Sequence, residues 1–299
     1  MNPILQAAEA VTATGIGALG YGLIEAQAFT VRDNQVHNPE FSFDSLRILH
    51  LSDLHITPAQ TRKINWVKSL GSLKPDLTVV TGDFLAHMQA VPAVIEALDS
   101  LLDGPGMFVF GSNDYFAPEF KSPLKYFDRD REINPIGQAL PTEELRQQLL
   151  DAGWIDLNNR QQAVTISDIV IDARGTDDPH INKDDYSKVA GPYGSGTLRL
   201  GVTHAPYLRV LNDFVADDTQ VILAGHTHGG QVCIPFYGAL VTNCDLPTKL
   251  ARGLSDYSHN GKTASLNVSA GVGTSPFTPV RIACRPEATL LTLTQQASQ

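Results

Sequence analysis

The sequence is poor in cysteine. Cys233, Cys244 and Cys284 are odd in number, far apart, and form no C-x-x-C pair, which excludes a disulfide framework and points to a reducing compartment. Positive charge is also in short supply: 22 Lys and Arg stand against 32 Asp and Glu, a net charge of -10. A general nucleic-acid binder would carry a basic patch, so nucleic acid is not an expected partner. No apolar run reaches the roughly 20 residues of a spanning helix. The nearest candidate, Val11 to Ile24, lies between Glu9 and Glu25, and no Lys or Arg precedes Arg32. The positive n-region of a secretory signal is therefore missing too. Neither an internal repeat nor a composition shift marks a linker, and the 299 residues suffice to bury a large core.

Two parts remain: a short N-terminal segment and one compact domain. Within residues 1–30, Ile16, Leu19 and Leu23 share a helical face. Such a helix either lies on a membrane surface or packs against the domain. The expected location is cytoplasmic, with the inner face of the plasma membrane as the peripheral site on the first alternative.

Along the rest of the chain, short apolar runs alternate with helical patterns, as in parallel strands covered on both faces. In Leu46 to Leu51, Leu46 and Ile48 face one side and Leu49 and Leu51 the other. Leu77 to Thr81 and Met107 to Phe110 read as two further strands, and Val91 to Leu102 as a helix opened by Pro92. Ala117 to Leu140 is a Pro-containing insertion of surface-flap character. Glu143 to Ala152 reads as a helix, and short strands follow near Ile155, Val164, Ile169 and Leu198 to Thr203. Beyond His228 the pattern is all-β, at Gln231 to Pro235, Ser265 to Ser269, Val280 to Cys284 and Ala288 to Leu293.

Five strand ends carry polar groups. Asp53 and His55 follow the first strand, Asp83 the second, Ser112-Asn113-Asp114 the third, His204 a fourth, and His226 and His228 a fifth. Alternation along an extended chain would turn residues i and i+2 to one side, so each D-x-H or H-x-H pair could face one point. Flanking glycines would admit a ligand closely. Mixed imidazole, carboxylate and amide donors suit Mn, Fe or Zn better than calcium. Seven candidate ligands exceed what one ion needs and fit two ions that share a bridge.

In order, Asp53-Leu54-His55, Gly82-Asp83, Gly111-Ser112-Asn113-Asp114, His204 and Gly225-His226-Thr227-His228 resemble the motifs of the calcineurin-like metallophosphoesterases over residues 45–295. Gly229-Gly230-Gln231 and Cys284-Arg285-Pro286-Glu287 resemble, more weakly, the bacterial UDP-2,3-diacylglucosamine hydrolase-like subgroup. The resemblance implies a four-layer αββα sandwich with mixed central sheets. It also implies a dinuclear phosphoesterase acting on a phosphomonoester, phosphodiester or pyrophosphate bond through a metal-bridging hydroxide. On it, Asp53, His55 and His228 hold one of two divalent ions, His204 and His226 the other, and Asp83 bridges them. Asp83, Asn113 and Asp114 are the implied catalytic positions. Metal binding lowers the pKa of water from about 15.7 to about 7, so no protein nucleophile is required.

One motif departs from the family. Where the family has G-N-H-D, the chain reads Gly111-Ser112-Asn113-Asp114. Either Asn113 shifts into the coordination shell or Ser112 serves as a weak ligand, and the carboxamide is the better donor to a hard ion. The histidine that would protonate the leaving group is absent, a loss of about 10²–10⁴-fold in typical acid catalysis. His87 and His180 are conceivable substitutes, though the plainer reading makes each a solvent-facing loop residue. Arg174, Cys233, Trp66 and Trp154 read as packing or strand-end residues, and Lys125 to Glu132 as a solvated face. The amphipathic N-terminus suggests a small-molecule or lipid-linked substrate met at a membrane. The competing readings are a cytosolic nucleotide or cyclic-nucleotide phosphodiesterase and a scaffold that keeps the fold with reduced turnover.

Overall fold

The computed structural model describes residues 15–119 and 137–295. Residues 15–25 form helix α1. The first sheet runs in the order β1 (Thr30–His37), β14 (Glu287–Thr294), β2 (Leu46–Leu51), β3 (Leu77–Thr81), β4 (Gly106–Val109) and β5 (Ile155–Asp156). The second runs β12 (Gly253–His259), β13 (Lys262–Val268), β9 (Val221–Ala224), β8 (Leu198–Val202), β7 (Ile169–Gly175) and β6 (Arg160–Ile166). Both sheets are mixed. β2 to β5 are parallel in the first, β7, β8, β9 and β13 in the second, and antiparallel strands lie toward the edges.

The period-2 pattern sorts side chains into layers. Leu46, Ile48, Val79 and Met107 pack against Ile171, Leu200, Val202 and Leu223 between the two sheets. Leu49, Leu51, Val80 and Phe108 turn the other way, onto α2 (Thr61–Ser69), α3 (Val91–Leu102) and α5 (Thr142–Asp151). On the far side, α6 (Leu208–Ala216) covers Ile222, Leu266 and Val268. The result is the four-layer αββα sandwich that the resemblance implied.

Three segments differ from the sequence expectation. β1 and β12 were not anticipated: TVRDNQVH and GLSDYSH are edge strands, polar and mostly half-buried or exposed, with no apolar alternation to announce them. Val280 to Cys284 is no strand, and its only pairing is the bridge between Val232 and Ile282. In the expected insertion the described ends meet through a Phe116–Ala139 bridge, while the run Lys125 to Glu132 lies outside the described residues. α1 contributes few side chains to the core. Ile16, Leu19 and Leu23 are 68%, 57% and 45% exposed, so the helix does not use its apolar face to pack on the domain. No helix among the described residues is long and apolar enough to cross a membrane.

Candidate metal centre

The parallel strands bring their carboxyl ends together, and the expected residues lie just beyond them. His55 Nε2 is 3.2 Å from His228 Nε2 and 3.4 Å from Asp83 Oδ2. His228 Nε2 is 3.5 Å from Asp53 Oδ1, and His204 Nε2 is 3.7 Å from Asp83 Oδ2. Two groups of mutually close donors result among the described residues, Asp53–His55–His228 and Asp53–Asp83–His204. Asp53 Oδ1 and His204 Nε2 are buried without a hydrogen-bond partner, which is costly unless something else satisfies them. Ligand bonds of about 2.0–2.2 Å in a tetrahedral shell put neighbouring donors about 3.3–3.6 Å apart. The donor set fits divalent cations in both chemistry and spacing.

Strand alternation is not how the pairs converge. Asp53, His55, Asp83, His226 and His228 all have left-handed backbones, with φ of 49°, 42°, 54°, 68° and 49°. Such residues cost about 1–3 kcal/mol each and persist only when their surroundings enforce them. Here the turns are interlocked. Asp53 N–H donates to Gly82 O at 2.9 Å, His55 N–H to Asp83 O at 2.9 Å, and His226 N–H to Asp53 Oδ2 at 3.0 Å. Two motif glycines make the approach possible. A Cβ on Gly225 would fall 1.7 Å from Ser52 Oγ, and one on Gly111 would fall 2.3 Å from Asp83 Oδ1.

Backbone carbonyls fix the imidazole tautomers. His204 Nδ1–H donates to Thr81 O at 2.6 Å and His228 Nδ1–H to Gly273 O at 3.2 Å, so that Nε2 is the nitrogen each ring turns to the centre. His226 behaves differently. Its Nε2–H donates to Asn243 O at 3.2 Å, and its ring lies against His204 and His180, centroids 5.2 and 4.3 Å away. It belongs to neither donor group, although the resemblance paired it with His204. Asp83 faces both groups through one oxygen. Asp53 keeps Oδ1 for the centre because Oδ2 accepts from Ser52 Oγ at 2.6 Å and from His226 N–H.

At the departing motif, Asn113 donates N–H to Asp83 Oδ1 and Nδ2–H to Asp83 Oδ2, both at 2.8 Å. Its carboxamide thus lies on the central carboxylate. Ser112 opens the short helix α4 (Ser112–Tyr115). Asp114, expected among the catalytic positions, lies beneath Asp83 and outside the two donor groups. Fully buried, it accepts N–H bonds from Asp83, Phe84, Leu85 and Gly111 at 2.7–3.1 Å, which saturates its oxygens and locks the Gly82–Leu85 turn.

Other residues at the centre had no sequence signal. Lys63, 5% exposed, donates from α2 to Leu54 O and His55 O, and burial lowers its pKa to about 7. Arg281 is wholly buried behind His228. His180, read as a solvent-facing loop residue, is only 6% exposed and bonds Tyr207 Oη at 3.0 Å; His87 is exposed as expected. Arg174 turns away from the centre to pair with Asp217 and stack on Tyr193.

The cluster binds protons tightly when metal-free. Burial opposes charge on His204, but Asp83, Asp178 and Asp53 outweigh it and raise its pKa to about 9. Burial and then Asp83 push Asp114 to about 8, and burial pushes Asp178 to about 7. Each of the three is raised in the folded chain, so its stabilising contribution is full below its ordinary pKa and lost as pH rises through the folded value. Cation binding needs the deprotonated ligands and strengthens with pH. The gap in melting temperature between Mn²⁺-loaded and metal-free protein should therefore widen from about pH 6 to about pH 8.5. A constant or narrowing gap would remove this reading.

The family model for calcineurin-like phosphoesterases matches residues 46–230. The chain belongs to that family. It is similar to the Bacillus subtilis metallophosphoesterase YkuE, 23% identical with 96% of this chain and 93% of YkuE covered. Bacillus subtilis YkoQ, also a metallophosphoesterase by name, is 29% identical with 82% of each chain covered. The UDP-2,3-diacylglucosamine pyrophosphatase LpxG of Chlamydia muridarum is 29% identical, covering 76% of this chain and 78% of LpxG. As a metallophosphoesterase the chain is a hydrolase, and the convergent donors lie within the matched span.

Proposed function

We propose that this metallophosphoesterase hydrolyses a pyrophosphate bond in a lipid-linked substrate, with two divalent cations held by Asp53, His55, Asp83, His204 and His228. The observation that carries the reading is the convergence of two donor groups on Asp53, with Asp83 facing both. When bound, the cations supply Lewis-acid charge for the phosphoryl oxygens and an acidified water. The chain's own groups do the positioning. Asn113 orients Asp83, carbonyl partners hold His204 and His228, and Asp114 fixes the turn below them.

The position of Asn113 supports an anhydride over an alkyl ester. A carboxamide cannot protonate a leaving alkoxide, whereas a phosphate monoester, with a second pKa of about 6, leaves unprotonated at neutral pH. The likeness to LpxG, a pyrophosphatase by name, points the same way. The proposed location is a cytoplasmic membrane surface.

The test is Mn²⁺-dependent hydrolysis across aryl phosphate diesters of graded leaving-group pKa, an alkyl diester and a UDP-linked acyl sugar. Rates should fall steeply with leaving-group pKa, and the nucleotide anhydride should be cleaved while the alkyl diester is not. Comparable aryl and alkyl rates with chemistry rate-limiting would overturn the leaving-group argument. Absence of any divalent-cation dependence would overturn the metal centre.

A further inference from the structure

Among the described residues, every large apolar side chain with high exposure apart from Met88 and Leu150 lies on one of three segments. These are α1, the stretch 232–240 that holds the hairpin of β10 (Cys233–Ile234) and β11 (Gly238–Ala239), and the loop around Phe277. At the hairpin tip Phe236 is fully exposed and Tyr237 is 74% exposed, while Phe277 is 50% exposed. The segments adjoin one another. Residues 278–284 form a spine between them: Arg281 N–H donates to Gly22 O at 3.0 Å, and Glu25 accepts from Ala283 and Cys284 N–H on the α1 side. On the hairpin side Cys233 N–H donates to Ile282 O at 2.9 Å, and Gln231 Nε2–H donates to Thr278 O at 2.8 Å.

Charge selects the occupant. On a chain of net charge -10, residues 10–24, 229–244 and 263–280 contain no Asp, Glu, Lys or Arg. At the rim the exposed cations are Arg285, which donates to Ala28 O at the base of α1, and Lys249, in a turn that packs on β11. The exposed carboxylate of this rim, Asp245, already accepts the Leu208 N–H at 2.8 Å. An apolar face with aromatic tips and rim cations suits lipid acyl chains below and headgroup phosphates above.

We propose that the hairpin tip at Phe236 and Tyr237, with Phe277 and the outer face of α1, inserts into the headgroup–acyl boundary of a lipid bilayer. The hairpin follows His228 within five residues, and its β10 thiol, Cys233 Sγ, touches Gly229 O at 3.2 Å. Docking by this face therefore sets the metal centre beside the lipid phosphates. The surface stands on its own geometry, and its bearing on substrate rests on the pyrophosphatase reading above.

The test is flotation of the full chain with phosphatidylcholine vesicles containing a minor share of phosphatidylglycerol. Wild type should float. The double variant Phe236→Ser/Tyr237→Ser should lose about tenfold or more in partitioning for each aromatic removed, as should Ile16→Ser/Leu19→Ser/Leu23→Ser. Met88→Ser should float like wild type. A Phe236→Trp variant should be quenched by vesicles with brominated acyl chains. All variants should keep wild-type Mn²⁺-dependent hydrolysis of a soluble aryl phosphate. Flotation unchanged in the hairpin variant, or a wild-type dimer that does not float and that Phe236→Ser dissociates, would overturn the proposal. Vesicle binding without Mn²⁺-dependent hydrolysis would leave the docking face standing and remove the hydrolase reading.

Discussion

Asp83→Asn should abolish hydrolysis while leaving a folded chain. Asp83 receives two hydrogen bonds from Asn113 and faces His55 and His204 through one oxygen. An amide in its place turns a donor toward Asn113 and removes the charge that would hold two cations together. Metal-ion catalysis is worth several kcal/mol of transition-state stabilisation, so the expected fall in kcat/KM on an aryl phosphate diester is about 10³-fold or more. Stability should move the other way in metal-free protein. Burial raises the Asp83 pKa, His204 opposes that shift and Asp53 adds like charge, so once pH passes the His204 value of about 9 the ionised carboxylate is a liability that the neutral amide removes. Above that pH metal-free Asp83→Asn should melt at or above metal-free wild type, and Mn²⁺ should raise its melting temperature far less. A variant that retains wild-type metal content and a rate within tenfold would show that Asp83 does not link the two donor groups.

The identity and order of the donors were legible because chemistry restricts them. Few side chains hold a hard divalent ion, and five motifs in sequence order leave little freedom. The local conformation was not legible. Alternation along an extended strand assigned Asp53, His55, His226 and His228 to one side for a reason that fails, since all four are left-handed. The glycine-lined interlock between Ser52, Gly225 and Gly82 sets their direction, and such a fit between distant loops leaves no periodic trace. Layering was readable in β2 to β4, where both faces are apolar, and unreadable in β1 and β12, whose sheet-edge positions relax the demand for apolar residues. Asp114 shows a further limit. Its place in a motif suggested chemistry, whereas its four backbone donors show that the turn beneath Asp83 is what requires it. His180 was opaque because its burial comes from a segment far away in sequence, around His226.

Arg281→Met should be the most destabilising single change at the centre. The residue lies in a run whose sequence resembles a strand, yet only Ile282 makes a ladder-like bridge there, because the guanidinium works as a hub. It donates to Ala270 O and Gly273 O at 2.7 Å and to Gly271 O at 3.1 Å, and it sits 3.4 Å from His228 Nδ1. Those carbonyls belong to the loop whose Gly273 O also fixes the His228 tautomer. Methionine fills the volume and leaves Ala270 O buried without its donor, at about 1–3 kcal/mol, while Gly271 O keeps the Glu287 N–H and Gly273 O keeps His228 Nδ1–H but each loses its second donor. Burial raises the Asp53 pKa, and the Arg281 charge lowers it after the larger effects of His204, Ser52 Oγ and the His226 N–H, so removing that charge also leaves a buried carboxylate somewhat less compensated. The fall in melting temperature should be about 5 °C or more. Saturating Mn²⁺ should recover only part of it, because His228 would no longer be held in register. Arg281→Lys keeps the charge but not the planar fork, and should fall between wild type and Met in both stability and metal affinity. If Met at 281 melts within about 2 °C of wild type and loads metal normally, the loop is held by packing alone, and His228 owes its position to the Gly225–His228 turn rather than to this guanidinium.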